Sequence, residues 1–147
     1  MSVLFIVIVI GILALFFIPA PKVVQAPTPT NTATTPAASL DDLITVTSPL
    51  PNSTLSSTTI TITGKARGNW YFEASAPVEL KDASGAVIAQ SHIEATSDWM
   101  TTDFVPFSAT LSFPPQPAGS AGTLVLKNYN PSGDPAKQKE LDIPIKF

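Results

Sequence analysis

The chain is 147 residues long, carries a formal net charge of −3 and contains no cysteine. That length holds one ordinary domain, and the missing cysteine excludes disulfides, thiolate metal sites, a cysteine nucleophile and a lipid-modified cysteine anchor. Lys22 is the only basic residue before Lys65, so no Lys/Arg stripe exists to neutralise a run of phosphates, and nucleic acid is not expected as a partner.

Val3 to Ile18 (VLFIVIVIGILALFFI) has no charged or polar residue. As a helix it covers about 24 Å of a hydrocarbon core near 30 Å thick. A transmembrane helix or signal anchor is predicted over 1–18; a buried soluble helix fits poorly, because nothing polar marks an outer face. Val24-Gln25-Ala26 has the small-residue spacing of a signal peptidase site, but Pro27 follows it and no basic segment precedes the apolar run. An uncleaved anchor is therefore favoured over a removed signal peptide, which would make the domain a secreted binding module. Charge gives little orientation, since Lys22 alone counts; the short N-terminal flank places the N-terminus inside and the rest of the chain outside.

Residues 19–42 form a predicted disordered linker. Its first twenty-two residues (PAPKVVQAPTPTNTATTPAASL) contain five Pro, five Thr and five Ala, too little hydrophobicity to offset the entropy of ordering them. From Leu43 the apolar period changes to two, which predicts a single all-β domain over 43–147. The clearest strands are Thr59–Thr63, Phe107–Phe113 and Leu141–Phe147. Weaker ones are Ile44–Ser48, Pro77–Lys81, Ala86–Ile93 and Thr123–Lys127. Pro and Gly punctuate the turns, and Ala83-Ser84-Gly85 reads as a hairpin turn. No window carries a 3.6-residue apolar repeat, so an antiparallel immunoglobulin-like β-sandwich of 7–8 strands is expected, with a closed barrel as the structural alternative. Pro144 cannot donate to a ladder, which puts the last strand at an edge or gives it a bulge.

Little in this sequence points to chemistry. The single histidine, His92, stands in a strand segment with no motif to orient it as a base, and one His without Cys leaves zinc to carboxylates alone. Asp98, Asp103 and Asp134 fall in candidate loops but not at the spacing of a calcium loop. Glu73, Glu79, Glu94 and Asp98 form no pair at fixed working separation. No catalytic residue, metal, cofactor or small-molecule substrate is predicted. The aromatic run Trp70-Tyr71-Phe72 is read by alternation, with Trp70 and Phe72 facing inward, Tyr71 outward, and Trp99 closing one end. Glu73 is a candidate to bond backbone N–H groups or to pair with Arg67.

A set of residues then gains meaning together: Ser48-Pro49-Leu50-Pro51-Asn52-Ser53, Gly64-Lys65-Ala66-Arg67-Gly68-Asn69-Trp70-Tyr71-Phe72-Glu73, Asp82 and Gly85, Trp99-Met100, Pro106-Phe107, and the closing alternation to Phe147. In these the chain resembles the immunoglobulin-like domain of bacterial spore germination proteins. The resemblance picks out Pro49, Gly64, Gly68, Trp70, Phe72, Glu73, Trp99 and Phe107 as motif residues with structural roles. Two departures stand out: Thr58-Thr59 where the family usually has a proline, and Ala74 where a glycine often follows the glutamate. The resemblance implies a non-catalytic binding or architectural module outside the cytoplasm. With the apolar N-terminus, the expectation is a module tethered to the bacterial cell membrane that meets an envelope protein or glycan, exposed strand edges offering β-augmentation. The alternative is an architectural spacer subunit of an envelope complex.

Overall fold

A computed structural model describes residues 40–147; the predicted helix at 1–18 and residues 19–39 of the predicted linker lie outside them. Seven strands follow in order: β1 (Ile44–Ser48), β2 (Thr59–Arg67), β3 (Ser75–Lys81), β4 (Val87–Ala95), β5 (Phe104–Ser112), β6 (Ala121–Lys127) and β7 (Glu140–Lys146). Short 3₁₀ turns lie at Gly68–Trp70 and Pro135–Lys137. Every predicted strand is present, β1 with its predicted bounds, and most of the others are longer. Period-two alternation is the cause. On β5, Val105, Phe107, Ala109 and Leu111 are buried while Pro106, Thr110 and Ser112 are exposed, and on β3 Ala76, Val78 and Leu80 point inward. Burying each larger aliphatic side chain stabilises the fold by roughly 1.5–3 kcal/mol.

All pairings are antiparallel, and the sheet order is β1-β2-β5-β4-β3-β6-β7. The ladder is uneven. β2 and β5 pair along their whole length, whereas β4 and β5 meet only at Glu94↔Ser108 and Ala95↔Phe107. The sheet therefore has two halves, β1-β2-β5 and β4-β3-β6-β7, joined at one end of a seam. Buried side chains of both halves belong to one apolar cluster, and Phe113 meets Phe147 edge-on with ring centroids 5.6 Å apart. The sandwich is thus made from one sheet doubled over on its apolar face.

The opposite flank is closed by the chain leaving β1. A bulge follows Val46, the Ser48–Pro49 peptide bond is cis, Pro49 is buried, and Asn52 takes a positive φ of 65°. The segment then lies along β7: Asn52 donates to the Pro144 carbonyl, Lys146 donates to the Ser53 carbonyl, and Leu55 donates to the Lys146 carbonyl. A residue's N–H and C=O in a strand point to the same side. The Pro144 carbonyl faces this crossing segment, so the N–H that proline lacks would also have faced outward, and no β6–β7 bond is lost. That is the edge position its sequence demanded.

Two local structures fix the ends. In the β3–β4 hairpin Asp82 Oδ1 accepts from the Ser84 hydroxyl and from the N–H groups of Ser84 and Ala86, while Gly85 adopts φ 83°. The Ser84 hydrogen bond is the largest influence holding the Asp82 carboxyl below its ordinary pKa. At the other pole Leu40 packs against the core, and its carbonyl accepts from Leu43 and Ile44.

Candidate functional site

Three loops gather at the pole where Leu40 leads into β1: residues 68–74 between β2 and β3, 96–103 between β4 and β5, and 128–139 between β6 and β7. The first is shaped by Gly68, whose N–H bonds the Asp103 carbonyl. A Cβ at Gly68 would run into the carbonyls of Thr101 and Trp99, so only glycine lets the second loop lie against the first. Trp70 follows, 1% exposed, and its carbonyl accepts the Tyr129 N–H, which ties in the third loop. Its indole Nε1 has no partner among the described residues.

The 3₁₀ turn breaks the period of two, and this corrects the sequence reading of the aromatic run. Tyr71 is the residue that turns inward: its hydroxyl donates to the Val105 carbonyl at 2.9 Å, and burial pushes its pKa up to about 12. Phe72 turns outward, 43% exposed, and stacks on Tyr129 with centroids 4.6 Å apart and planes at 13°. Tyr129 is itself 37% exposed, and nothing in the sequence around it singled it out. Met100, 77% exposed, stands on the neighbouring loop beside the partly buried Trp99, where Gly68, Asn69, Thr101 and Thr102 complete a shallow depression of about 480 Å³. The pole thus presents an apolar, aromatic surface on loops that are anchored from beneath by Trp70 and Tyr71.

Glu73 also departs from expectation. Phe72 and Ser75 exchange both backbone hydrogen bonds around Glu73 and Ala74, which have φ of 50° and 62°, so these two residues are the corner of a two-residue hairpin turn. The Glu73 side chain is exposed and does not reach Arg67. Arg67 instead donates to the carbonyls of Asp42 and Thr102 and lies 4.0 Å over the Phe104 ring.

The acidic loop residues are used locally. Asp98 Oδ1 accepts from the Met100 N–H, and Asp134 Oδ1 from the Ala136 N–H. Among the described residues no group of three His, Asp or Glu side chains comes together. His92 is exposed on β4. An ionic network lies on the outer face of β3, β6 and β7, where Lys127 reaches Glu79 at 2.8 Å and Glu140 at 3.7 Å; the Glu79 hydrogen bond is the main cause that raises the lysine's pKa.

With this geometry in view, the sequence profile of the immunoglobulin-like domain of bacterial spore germination matches residues 43–134. The chain belongs to this family. No curated protein matches it. The family match spans β1 to β6 and ends before β7, and membership points to a non-catalytic interaction module.

Two more of the residues picked out by the sequence, Gly64 and Pro49, are enclosed by the fold. A Cβ on Gly64 would meet the Thr45 carbonyl and the Phe107 ring, so that glycine lets the Phe107 ring come close to the β2 backbone. Pro49 is buried at the far pole. The two positions read from the sequence as departures are accommodated locally. The Thr59 N–H bonds only the nearby Ser57 hydroxyl, a contact a proline there would forgo at small cost, and Ala74 occupies a left-handed position that glycine adopts without penalty.

Proposed function

We propose that this protein is a membrane-tethered, extracytoplasmic, non-catalytic binding module of the bacterial cell envelope, which meets a protein or glycan partner through its aromatic pole. The apolar run Val3–Ile18 supports the tether, and the uncharged Pro/Thr-rich stretch after Lys22 suits a spacer. Family membership supports the interaction role. The observation that carries the reading is the solvent-exposed Phe72–Tyr129 stack, at the same pole as the exposed Met100. Large side chains left in water on a rigidly seated loop cluster forfeit burial energy that a partner would recover, and aromatic anchors of this kind dominate binding energetics.

The test joins topology to contact. A C-terminal reporter fusion is fractionated and exposed to external protease, and a photo-crosslinker is placed at Met100 in the wild type and in the Phe72→Ala/Tyr129→Ala double variant. A membrane-bound, full-length, externally cleavable product supports the tether; a shortened soluble one makes the domain a secreted factor, and a protease-protected domain refutes the placement. A discrete envelope cross-link that the double variant loses supports the aromatic pole. One that survives the double variant but disappears when the N-terminal segment is exchanged for an unrelated anchor favours the architectural spacer instead.

A further inference from the structure

We propose that the groove beside the N-terminal half of β2 is a docking site for an extended, uncharged polypeptide segment, which would pair with β2 in the track that β1 vacates. This surface lies at the pole opposite the aromatic stack, and the proposal stands independently of the membrane tether.

β1 pairs with β2 only from Ile44↔Ala66 to Ser48↔Thr63, after which the chain turns away at Pro49, while β2 runs back to Thr59. On β2 the odd-numbered residues turn their main-chain groups toward β1: Arg67 donates to the Leu43 carbonyl, whereas the Thr58 carbonyl, on the other side, accepts from Phe113 beside β5. The β2–β5 register has no shift, so this parity holds throughout the strand. The Thr59 N–H is taken by Ser57 Oγ at 3.2 Å. Among the described residues, what remains facing the groove without a main-chain partner is the N–H and C=O of Thr61 and the C=O of Thr59.

Residues two apart on a strand repeat every 6.4–6.8 Å or so, and another extended main chain presents donors and acceptors at that same repeat. Exposed edges elsewhere in proteins are blunted by Lys, Pro or bulges or are covered. β7 is covered by residues 52–55, but Thr59–Ile62 carries none of these devices on its open flank.

The groove also has room and chemistry. Its volume is about 540 Å³, and its walls include Leu50, Leu55 and Ile60 on one hand and Thr54, Thr59 and Thr61 on the other. None of its lining residues is charged or aromatic. A charged segment would lose hydration there without gaining a partner, and a sugar ring would find no aromatic face to stack on. Leu50 is 60% exposed at the mouth, and Ser53 Oγ is buried without a partner among the described residues. The occupant these features fit is a short strand of alternating small polar and aliphatic residues.

The experiment uses the full ¹⁵N-labelled chain and three probes: a blocked heptapeptide of alternating threonine and valine, the same peptide with alternate amides N-methylated, and maltohexaose. Amide hydrogen exchange is read residue by residue. The unmodified peptide slows exchange at the Thr61 amide about tenfold at about 1 mM, and the methylated peptide and the sugar leave it unchanged. Thr61→Pro removes the donor from the open flank alone, and in that variant the peptide no longer shifts the neighbouring Ile60 and Ile62 amide resonances as it does in the wild type; Leu50→Asp, at an exposed side chain that the fold does not need, weakens the Thr61 protection about tenfold. The proposal is overturned if methylated and unmethylated peptides protect equally, if protection falls instead on Gln90 and His92 along the free part of β4, if maltohexaose replaces the peptide, or if no probe protects Thr61.

Discussion

Ala74→Gly should stabilise this protein although it removes a methyl group. Ala74 has φ 62° at the second corner of the Phe72–Ser75 turn. A residue with a Cβ pays roughly 1–2 kcal/mol in this left-handed conformation. Glycine escapes that cost but loses more chain entropy on folding, roughly 0.5–1 kcal/mol. Ala74 is only partly buried and is absent from the apolar cluster, so little packing is lost. The net gain is about 0.5–1 kcal/mol, which in a domain of this size raises Tm by about 2–6 °C. Equilibrium denaturation followed by tryptophan fluorescence, alongside a thermal melt, measures both. Gly85→Ala is the mirror control, since Gly85 has φ 83° and open space around it; it should destabilise through conformation alone. A lower Tm for Ala74→Gly, or an unchanged one for Gly85→Ala, would refute the assignment of strain to these turns.

Further outcomes are expected from the same assays. Gly68→Ala should cost about 1–3 kcal/mol, because its Cβ meets two backbone carbonyls that have no rotamer to escape into. Tyr71→Phe removes the hydroxyl donor from the buried Val105 carbonyl, which keeps its ladder partner Ala66, and should cost about 0.5–1.5 kcal/mol. The same residue sets an alkaline limit: a tyrosine titrates near 10 when unfolded and Tyr71 near about 12 when folded. The folded state thus holds its proton longer, the associated stability is complete below pH 10 or so, and it is lost as pH rises through about 12; the Tyr71→Phe variant should show a flatter loss across that window in a pH-dependent melt. Glu73→Gln should change stability by less than about 0.5 kcal/mol, because the side chain is exposed and has no partner among the described residues.

Alternation made much of the sheet readable in advance, because one buried face forces every second residue to be apolar. Ile44–Ser48, the Asp82–Gly85 turn and the edge placement of Pro144 all follow from local rules that need no partner strand. The aromatic pole was half legible. Gly68, Trp70 and Trp99 stood out by residue type, but a three-residue 3₁₀ turn reverses which of Tyr71 and Phe72 faces water, and period-two reasoning assumes a strand that is absent there. Tyr129 could not be paired with Phe72 from sequence, since fifty-seven positions separate them. The bare flank of β2 is likewise a property of where β1 stops, which the pattern Thr-Ile-Thr-Ile-Thr does not encode.

The crossing of residues 52–55 onto β7 also sets a timetable for folding during synthesis. Thr54 bridges to Lys146, so an early segment waits for a partner made some ninety residues later. At a translation rate of roughly 5–20 residues per second that delay is on the order of five to twenty seconds. Until β7 emerges, β6 has an unpaired edge and the Ile143, Ile145 and Phe147 side of the core is missing. The nascent domain is therefore an unfinished sheet, and the last strand to be made completes the fold.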